Sequence, residues 1–388
     1  MTEMVHQEFN RSTGEAIFQR WWRTIDRWTL SCVITLFSIG VLLNFAASPP
    51  LAEQNGFSNF HYVLRHIAFG MLSLGVMIFV SILDPISIRR LAVLGFIAAF
   101  IALLMLPFFG TDFGKGAVRW YSLGFASVQP SEFIKPTFVI VIAWFLAASL
   151  EPDGPPGTAL SFALTACLVL ILTLQPDFGQ AALVLFGWGV IYFVSGAPIL
   201  GLIAVAGLVM FFGSIAYRHS EHFAFRIDGF LNHEVDATTQ LGYAFNAIRG
   251  GGIFGLGVGE GQVKWTLPDA HTDFIIAVAA EEYGFVLVLI IIALYAGIVI
   301  RSLLLLIRER DPFIRFAGSG LVCMFGAQAM INMAVAVRLL PAKGLTLPFI
   351  SYGGSSLLAG GVALGMLLVC TRTRPQGEVE DILRRRMR

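Results

Sequence analysis

Residues 261–300 read GQVKWTLPDAHTDFIIAVAAEEYGFVLVLIIIALYAGIVI and contain the apolar run that decides the fold class. An α-helix crosses the hydrocarbon core of a bilayer with about 20 apolar residues, so the segment from about 273 to 300 is predicted to span a membrane. Asp273 stands at the start of this span, and Glu281 and Glu282 lie inside it. At a rise of 1.5 Å per residue the two glutamates lie about 12 to 14 Å below Asp273, where an unpaired charge costs several kcal/mol. At least one of them is therefore expected to pair with another helix or to be protonated.

The composition places the whole chain in a membrane. Of its 388 residues, 56% are hydrophobic and only 13% are charged, whereas soluble domains carry about 25% charged residues. This composition predicts an all-α polytopic membrane protein. The net charge of +1 and the lack of a Lys and Arg cluster argue against a nucleic-acid partner. The four cysteines lie in or at the end of apolar runs without CxxC spacing, which favours packing roles over zinc binding or disulfides.

The apolar runs predict about ten transmembrane helices. Their approximate limits are 28–47, 61–83, 91–109, 131–149, 158–175, 178–195, 198–216, 273–300, 313–337 and 353–371. The distribution of Lys and Arg predicts the orientation, because basic residues are enriched in cytoplasmic segments. With both termini cytoplasmic, 16 of the 26 basic residues lie in short inside segments.

This topology divides the chain into a cytoplasmic N-terminal segment, 1–24, a single ten-helix membrane domain, 25–372, and a basic cytoplasmic tail, 373–388. The longest loop, 217–272, is expected on the outer side, between helices 7 and 8. All four lysines of the chain, Lys115, Lys135, Lys264 and Lys343, also fall on the outer side. Positive charge retained there against the insertion bias favours an anionic ligand, and a solvated loop surface is the equal alternative.

Several acidic residues near helix starts have two interpretations. Thr272 or Asp273 fits a helix cap, because a short oxygen-bearing side chain satisfies the first amide groups of a helix. Asp177, in QPDFGQ, fits a cap for the same reason. Glu132 and Lys135 are three residues apart, so an ion pair on one helix face is the alternative to a ligand contact.

The glycine-rich run RGGGIFGLGVGEG, residues 249–261, resembles a nucleotide-binding loop only superficially. The spacing of such a loop needs a third glycine where Glu260 stands, and no Walker pattern follows. The run is therefore interpreted as irregular backbone that lines or covers a cavity, where glycine permits close approach.

Four motifs occur in order along the chain: GAVRWYSLGFASVQPSEFIK, QPDFGQA, LPDAHTDFIIAVAAEEYG and LPAKGLTLPFISYGGSS. Together they resemble the SEDS family of bacterial cell-wall polymerases (shape, elongation, division and sporulation). The resemblance extends from about the first helix to the last. The KGLT sequence at 343–346 is similar to the division branch of the family rather than the elongation branch.

The resemblance implies a ten-helix peptidoglycan glycosyltransferase of the bacterial cytoplasmic membrane, which polymerises lipid II at the outer, periplasmic leaflet during septal wall synthesis. In that family the aspartate of the HTDF motif is essential, which makes Asp273 the candidate catalytic residue. Arg119 and Lys343 lie in matching motifs and are the first candidates for substrate binding. The further candidates are Lys135, Arg338, His271, Glu132, Asp177 and Ser351.

In the expected reaction, the 4-hydroxyl of an N-acetylglucosamine attacks C1 of an N-acetylmuramic acid, and one carboxylate acts as the general base. The leaving lipid pyrophosphate needs cations or helix N-termini. The resemblance allows a divalent cation, Mg or Mn, although no ligand cluster in the sequence demonstrates one. It also implies lipid II as substrate, and a class B penicillin-binding protein and other membrane proteins of the division machinery as partners.

Three alternatives stay open. A lipid II flippase or secondary transporter would also carry intramembrane carboxylates, and its distinguishing feature would be repeat halves with broken helices at mid-depth. A non-catalytic scaffold would tolerate the loss of Asp273. An elongation-type polymerase would share the fold and the catalytic aspartate.

Overall fold

The computed structural model describes residues 17–112, 118–124, 126–219, 224, 228, 239–267, 269–341 and 344–373. The N-terminal half contains α1 (Ile17–Thr24), α2 (Arg27–Ala47), α3 (Pro49–Gln54), α4 (His61–Ile82), α5 (Pro85–Phe109), α6 (Pro130–Ala148), α7 (Gly157–Leu174) and α8 (Phe178–Val194). The C-terminal half contains α9 (Ile199–His219), α10 (Gln240–Gly251), α11 (Val263–Thr266), α12 (Ile275–Leu306), α13 (Pro312–Ala336) and α14 (Gly354–Cys370). A short antiparallel pair, β1 (Tyr121–Ser122) with β2 (Ser127–Val128), lies between α5 and α6.

The predicted spans coincide with α2, α4–α9 and α12–α14. In the described part of the chain, 7 helices are long and apolar enough to cross a bilayer, namely α2, α4, α5, α6, α7, α12 and α13. Shorter apolar helices are α8, α14 and the segment Ile199–Ile215 of α9. The prediction of an all-α polytopic membrane protein is confirmed. The number of crossings, the cytoplasmic termini and the three-part division of the chain stay predictions.

The helix limits agree with the sequence pattern to within a few residues except at two ends. α5 begins at Pro85 rather than near 91, because proline fits the first turn of a helix and Asp84 occupies the N-cap position. α12 continues to Leu306, past the predicted end at 300.

Helices α6 and α13 form the centre of the bundle. Over its most apolar window, α6 is 72% buried and α13 is 67% buried, compared with 22% for α5. α14 packs closely on α4, where a Cβ at Gly361 would lie 2.4 Å from the carbonyl oxygen of Ser73. The central helices therefore bury the polar groups that they carry, and these groups need partners inside the protein.

The α12 helix is interrupted at Gly284, which has φ 78° and ψ −179°. The glycine-rich run folds against this break and bonds to the backbone groups that the break exposes. The N–H of Leu256 donates to the carbonyl of Glu281 (2.8 Å), and the N–H of Phe285 donates to the carbonyl of Gly252 (3.0 Å). A Cβ at Gly255 would lie 2.2 Å from the Glu282 carbonyl oxygen, so only glycine fits there.

The prediction of irregular backbone in the glycine-rich run is confirmed. The run also borders a cavity of about 250 Å³ between the C-terminal end of α2 and Tyr283, lined in part by Val258, Gly259 and Trp265. Irregular backbone at this depth is tolerated because the run and the broken helix satisfy each other's hydrogen-bonding groups.

Glu281 and Glu282 both find partners in the glycine-rich run or in the segment that follows it. Glu282 forms an ion pair with Lys264 at 2.6 Å and accepts a hydrogen bond from the N–H of Gly259 at 3.0 Å. Glu281 accepts hydrogen bonds from the N–H groups of Gln262 (3.0 Å) and Val263 (3.2 Å). The prediction that at least one glutamate pairs with another helix is confirmed, since Lys264 lies on α11.

Candidate active site

Asp273 lies in a turn just before α12, and it does not cap that helix. The N-cap position belongs to Phe274, and no side chain accepts a capping hydrogen bond there. The capping interpretation of Thr272 or Asp273 is therefore wrong, because the N-cap position lies one residue after Asp273 and two residues after Thr272. The Asp273 carboxylate is only partly buried. It lies beside Gly344, at which a Cβ would be 3.6 Å from Asp273 Oδ2.

Gly344 lies in the connection between α13 and α14, residues 337–353, of which residues 344–353 are here named the return loop. Amide side chains of α13 hold its first residues: Asn332 Nδ2 donates to the carbonyl of Leu345 (2.6 Å), and Gln328 Nε2 donates to that of Thr346 (3.0 Å). Farther along the loop, Asn44 Nδ2 of α2 donates to the carbonyl of Ile350 (3.0 Å). The return loop is thus fixed by side chains from distant parts of the chain.

The return loop and α13 also hold the backbone around Asp273. The N–H of Tyr352 donates to the carbonyl of His271 (2.9 Å), the hydroxyl of Ser351 donates to that of Thr272, and Asn332 Nδ2 donates to that of Asp273 (2.9 Å). The His271 ring lies against those of Tyr352 and Tyr62, with centroids 5.4 and 5.7 Å away. The predicted residues His271, Asp273 and Ser351 therefore meet in one place.

The predicted ion pair between Glu132 and Lys135 is present on α6, with Lys135 Nζ 2.9 Å from Glu132 Oε2. Both residues are 5% exposed, so the pair is internal. Lys135 Nζ also donates to Gln328 Oε1 at 2.7 Å, and Gln180 Nε2 donates to Glu132 Oε1. Because Gln328 bonds to the return loop, the ion pair is connected to that loop through one side chain.

Asp177 and Arg119 meet at the turn between α7 and α8. Asp177 occupies the N-cap position of α8, as predicted, but its side chain makes no capping hydrogen bond to the helix. Its carboxylate instead accepts hydrogen bonds from Gln129 Nε2 and Ser131 Oγ, both at 3.3 Å. Arg119 donates to the carbonyls of Gln175 (3.2 Å) and Pro176 (2.7 Å). Burial raises the pKa of Asp177 above its ordinary value, and the positive charge of Arg119 opposes that rise.

The last two basic candidates follow α13. Arg338 is half-buried, with a φ of 60°. Lys343 lies outside the described residues. Within the described ranges, no group of three or more His, Cys, Asp or Glu side chains could hold a metal ion, and all four cysteines are free. These residues do not fit a resident metal site, and the mechanism proposed below uses none.

Gln328 and Asn332 are the site residues that the sequence reasoning missed. They are four positions apart on α13, which places both amides on the same helix face. That spacing, inside a run that is otherwise apolar, was the available signal. Their partners, in the return loop and at Asp273, depend on the path of a loop and have no signal in the sequence.

The fold and the site define a multi-pass helical membrane protein with a carboxylate held between a broken helix and the return loop. The chain belongs to the FtsW, RodA and SpoVE family: the family model described as "Cell cycle protein" matches residues 27–376. The family predicted from the sequence is confirmed.

Individual relatives agree with this assignment. The chain is 41% identical over 356 residues to "Probable peptidoglycan glycosyltransferase FtsW" of Caulobacter vibrioides, covering 92% of this chain and 91% of that protein. It is similar to a chain in a structure on "coordination of polymerization and crosslinking by a peptidoglycan synthase complex", with TM-score 0.72, 28% identity, and coverage of 89% of this chain and 97% of that one. It is also similar to the rod shape determining protein RodA of Thermus thermophilus, with TM-score 0.65, 28% identity, and coverage of 90% and 97%.

Proposed function

We propose that this chain is a peptidoglycan glycosyltransferase that polymerises lipid II into glycan strands during cell division. Family membership supports the activity, and the relatives named FtsW support the division role over an elongation role. The observation that carries the site assignment is the Asp273 carboxylate, which is partly exposed, lies beside the return loop and has no helix-capping role.

Asp273 acts as the general base. It accepts the proton of the 4-hydroxyl of the acceptor N-acetylglucosamine while that oxygen forms a bond to C1 of the donor N-acetylmuramic acid. The bond from C1 to the pyrophosphate oxygen breaks, and its electron pair leaves with undecaprenyl pyrophosphate. Attack from the side opposite the leaving group converts the α linkage to β. One carboxylate suffices, because the leaving diphosphate is already a stable anion.

The positive charge for the diphosphate comes from basic residues that the sequence places on the outer side. Lys343 directly precedes Gly344, which borders the Asp273 carboxylate, so it is the first candidate. Arg338 and Arg119 are the next candidates. Lys135 is engaged with Glu132 and Gln328, so we assign it to positioning the return loop rather than to contact with the diphosphate.

The partner and the location follow from the same assignment. The relative solved within a peptidoglycan synthase complex supports a penicillin-binding protein as partner. We assign the class B division transpeptidase to that role, together with other membrane proteins of the division machinery. The protein then works at the septum, in the bacterial cytoplasmic membrane.

One structural feature favours the transporter alternative enough to need a test. Transporters place binding sites at discontinuous helices, and α12 is discontinuous at Gly284. In this chain, however, the glycine-rich run already bonds to the backbone groups at the break. These groups are therefore occupied by the protein itself rather than directed at a transport site.

The test uses the purified full chain with its transpeptidase partner and lipid II in detergent, where no second compartment exists and transport cannot contribute. The parent is expected to form glycan chains, and Asp273→Asn is expected to lose about 10²-fold or more of the rate, because Asn cannot accept the proton. Asp112→Asn is the matched control, since it removes an exposed outer-loop carboxylate and should keep the parental rate. Equal rates for Asp273→Asn and the parent would exclude the base role. An inactive parent complex would count against the polymerase itself.

A further inference from the structure

The short helix α1 is attached firmly to one end of the bundle. Trp21 is 2% exposed, and its Nε1 donates to Ser81 Oγ at the end of α4 (2.8 Å). Thr24 is bonded by the segment that follows α14, through Arg372 Nε to its hydroxyl (3.1 Å) and Thr373 N–H to its carbonyl (3.0 Å). The orientation of α1 relative to the membrane-spanning helices is therefore fixed.

The apolar surface of α1 extends beyond the part that is packed on the bundle. Phe18 and Trp22, one helical turn apart, are 61% and 43% exposed, and Trp28 at the start of α2 is 70% exposed. Exposed aromatic rings at the end of a transmembrane bundle are typical of the membrane–water interface. These three rings are therefore placed to enter the headgroup region beside the bundle.

Arginines accompany these rings. At 100° per residue, Arg20 and Arg23 lie on the side of α1 opposite Trp21 and Trp22, and both are exposed. The guanidinium of Arg27 lies 5.0 Å from the Trp22 ring centroid, and it donates to the Trp22 carbonyl. A helix with aromatic residues on one side and arginines on the other lies in the plane of the membrane surface.

The charge of this segment selects the kind of lipid. Residues 17–28 contain three arginines and one acidic residue, Asp26. Asp26 is 8% exposed, and its carboxylate lies 3.5 Å from Arg301 Nε, so its negative charge is buried and paired inside the protein. The outward surface is thus cationic as well as aromatic. Guanidinium groups bind phosphate oxygens with two parallel hydrogen bonds.

We propose that residues 17–28 form a docking surface for anionic phospholipid headgroups of the membrane in which the chain is embedded. The aromatic rings insert at the headgroup level, and Arg20, Arg23 and Arg27 bind the lipid phosphates. This interaction is independent of the polymerase site, because α1 packs at the ends of α4 and α14, whereas Asp273 precedes α12.

The test measures binding of phosphatidylglycerol and phosphatidylcholine to the full chain in an uncharged detergent, by native mass spectrometry at low salt. The parent is expected to prefer phosphatidylglycerol. The variant Arg20→Gln/Arg23→Gln/Arg27→Gln is expected to lose about fivefold in affinity per arginine, roughly 100-fold in total, and 0.5 M NaCl is expected to weaken the parental binding. The variant should stay folded without lipid, because Trp21, Thr24, Arg372 and Thr373, which attach α1 to the bundle, are unchanged.

The matched control is Arg90→Gln/Arg308→Gln/Arg310→Gln, which removes three exposed arginines that the sequence places at the same end of the bundle but outside α1. It should keep the parental affinity for phosphatidylglycerol. Equal loss in the two variants would reduce the effect to net charge and overturn the proposal. Equal binding of the two lipids by the parent would also overturn the proposal. So would binding of soluble glycerophosphoglycerol with the same affinity as phosphatidylglycerol. If the α1 variant bound lipid as the parent does but no longer bound the transpeptidase partner, the surface would be a protein-binding site instead.

Discussion

Replacing Lys264 by Met should destabilise the protein strongly, because it leaves a carboxylate buried without its counter-charge. The side chain of Glu282 is 0% exposed and that of Lys264 is 7% exposed, so the ion pair lies inside the protein. After the replacement, Glu282 would keep the hydrogen bond from the Gly259 N–H. Methionine preserves the length and most of the volume of the lysine side chain, so the charge is the main quantity that changes.

The expected cost is about 3 to 5 kcal/mol in the free energy of unfolding, the range for removing one partner of a buried ion pair. Glu282→Gln should cost less, because Lys264 also donates to the Gly259 carbonyl at 2.9 Å. The double variant Lys264→Met/Glu282→Gln buries no charge at this place. It should therefore be more stable than Lys264→Met alone, with a coupling energy of about 2 kcal/mol.

The assay is reversible unfolding in mixed detergent and SDS micelles, applied to the parent, both single variants and the double variant. Arg301→Gln provides the comparison, because Arg301 is 49% exposed and lies 3.5 Å from Asp26, and the Asp26 carboxylate keeps the hydrogen bond from the Thr29 hydroxyl after the change. That change should therefore cost less than Lys264→Met. If Lys264→Met were no more costly than Arg301→Gln, or if the double variant were the least stable of the set, the ion pair would not be what holds the glycine-rich run on α12.

Three further predictions concern the helix break, the turn at Asp177 and the topology. Gly284→Ala should lower the free energy of unfolding by at least about 2 kcal/mol, since φ is positive there and a Cβ would lie 2.3 Å from the Ile253 carbonyl oxygen. The control Gly207→Ala, in an open part of α9, should be neutral or stabilising. Because the pKa of Asp177 is raised on folding, ionisation of its carboxyl group reduces stability as the pH rises above the ordinary value of 3.8. The melting temperature of Asp177→Asn should therefore increase relative to that of the parent from pH 4 to pH 8. In a cysteine-free background, Phe254→Cys should react with an impermeant thiol reagent applied to the periplasmic face and Ile307→Cys should not, and the reverse pattern would invert the topology.

The spans were predictable because the bilayer imposes a length and an apolar composition that can be counted along the chain. The two limits that differ, at Pro85 and Leu306, lie at the ends of α5 and α12 that the sequence places in short cytoplasmic loops. Those ends are set by local capping and packing rather than by hydrocarbon thickness. The ion pair between Glu132 and Lys135 was predictable for a similar reason, since helical geometry alone brings the two residues together.

The partners of the other buried polar groups were not predictable. Glu282 pairs with Lys264, 18 positions earlier, only because a glycine-rich run folds back onto a broken helix. Asn332 reaches both Asp273 and Leu345 because the return loop lies against the turn before α12. These contacts depend on irregular backbone, whose path neither hydropathy nor helical periodicity predicts.

The arrangement around Asp273 explains how a carboxylate proposed as the general base can be held in a turn rather than on a rigid helix. Three consecutive carbonyls, those of His271, Thr272 and Asp273, each accept a hydrogen bond from Tyr352, Ser351 and Asn332 respectively. None of these three bonds uses the carboxylate itself. The turn is therefore positioned through its backbone. A general base must be held close to its productive geometry by groups other than the substrate. Here α13 and the return loop supply those groups, so the loop that carries the family's KGLT sequence also sets the place of the proposed base.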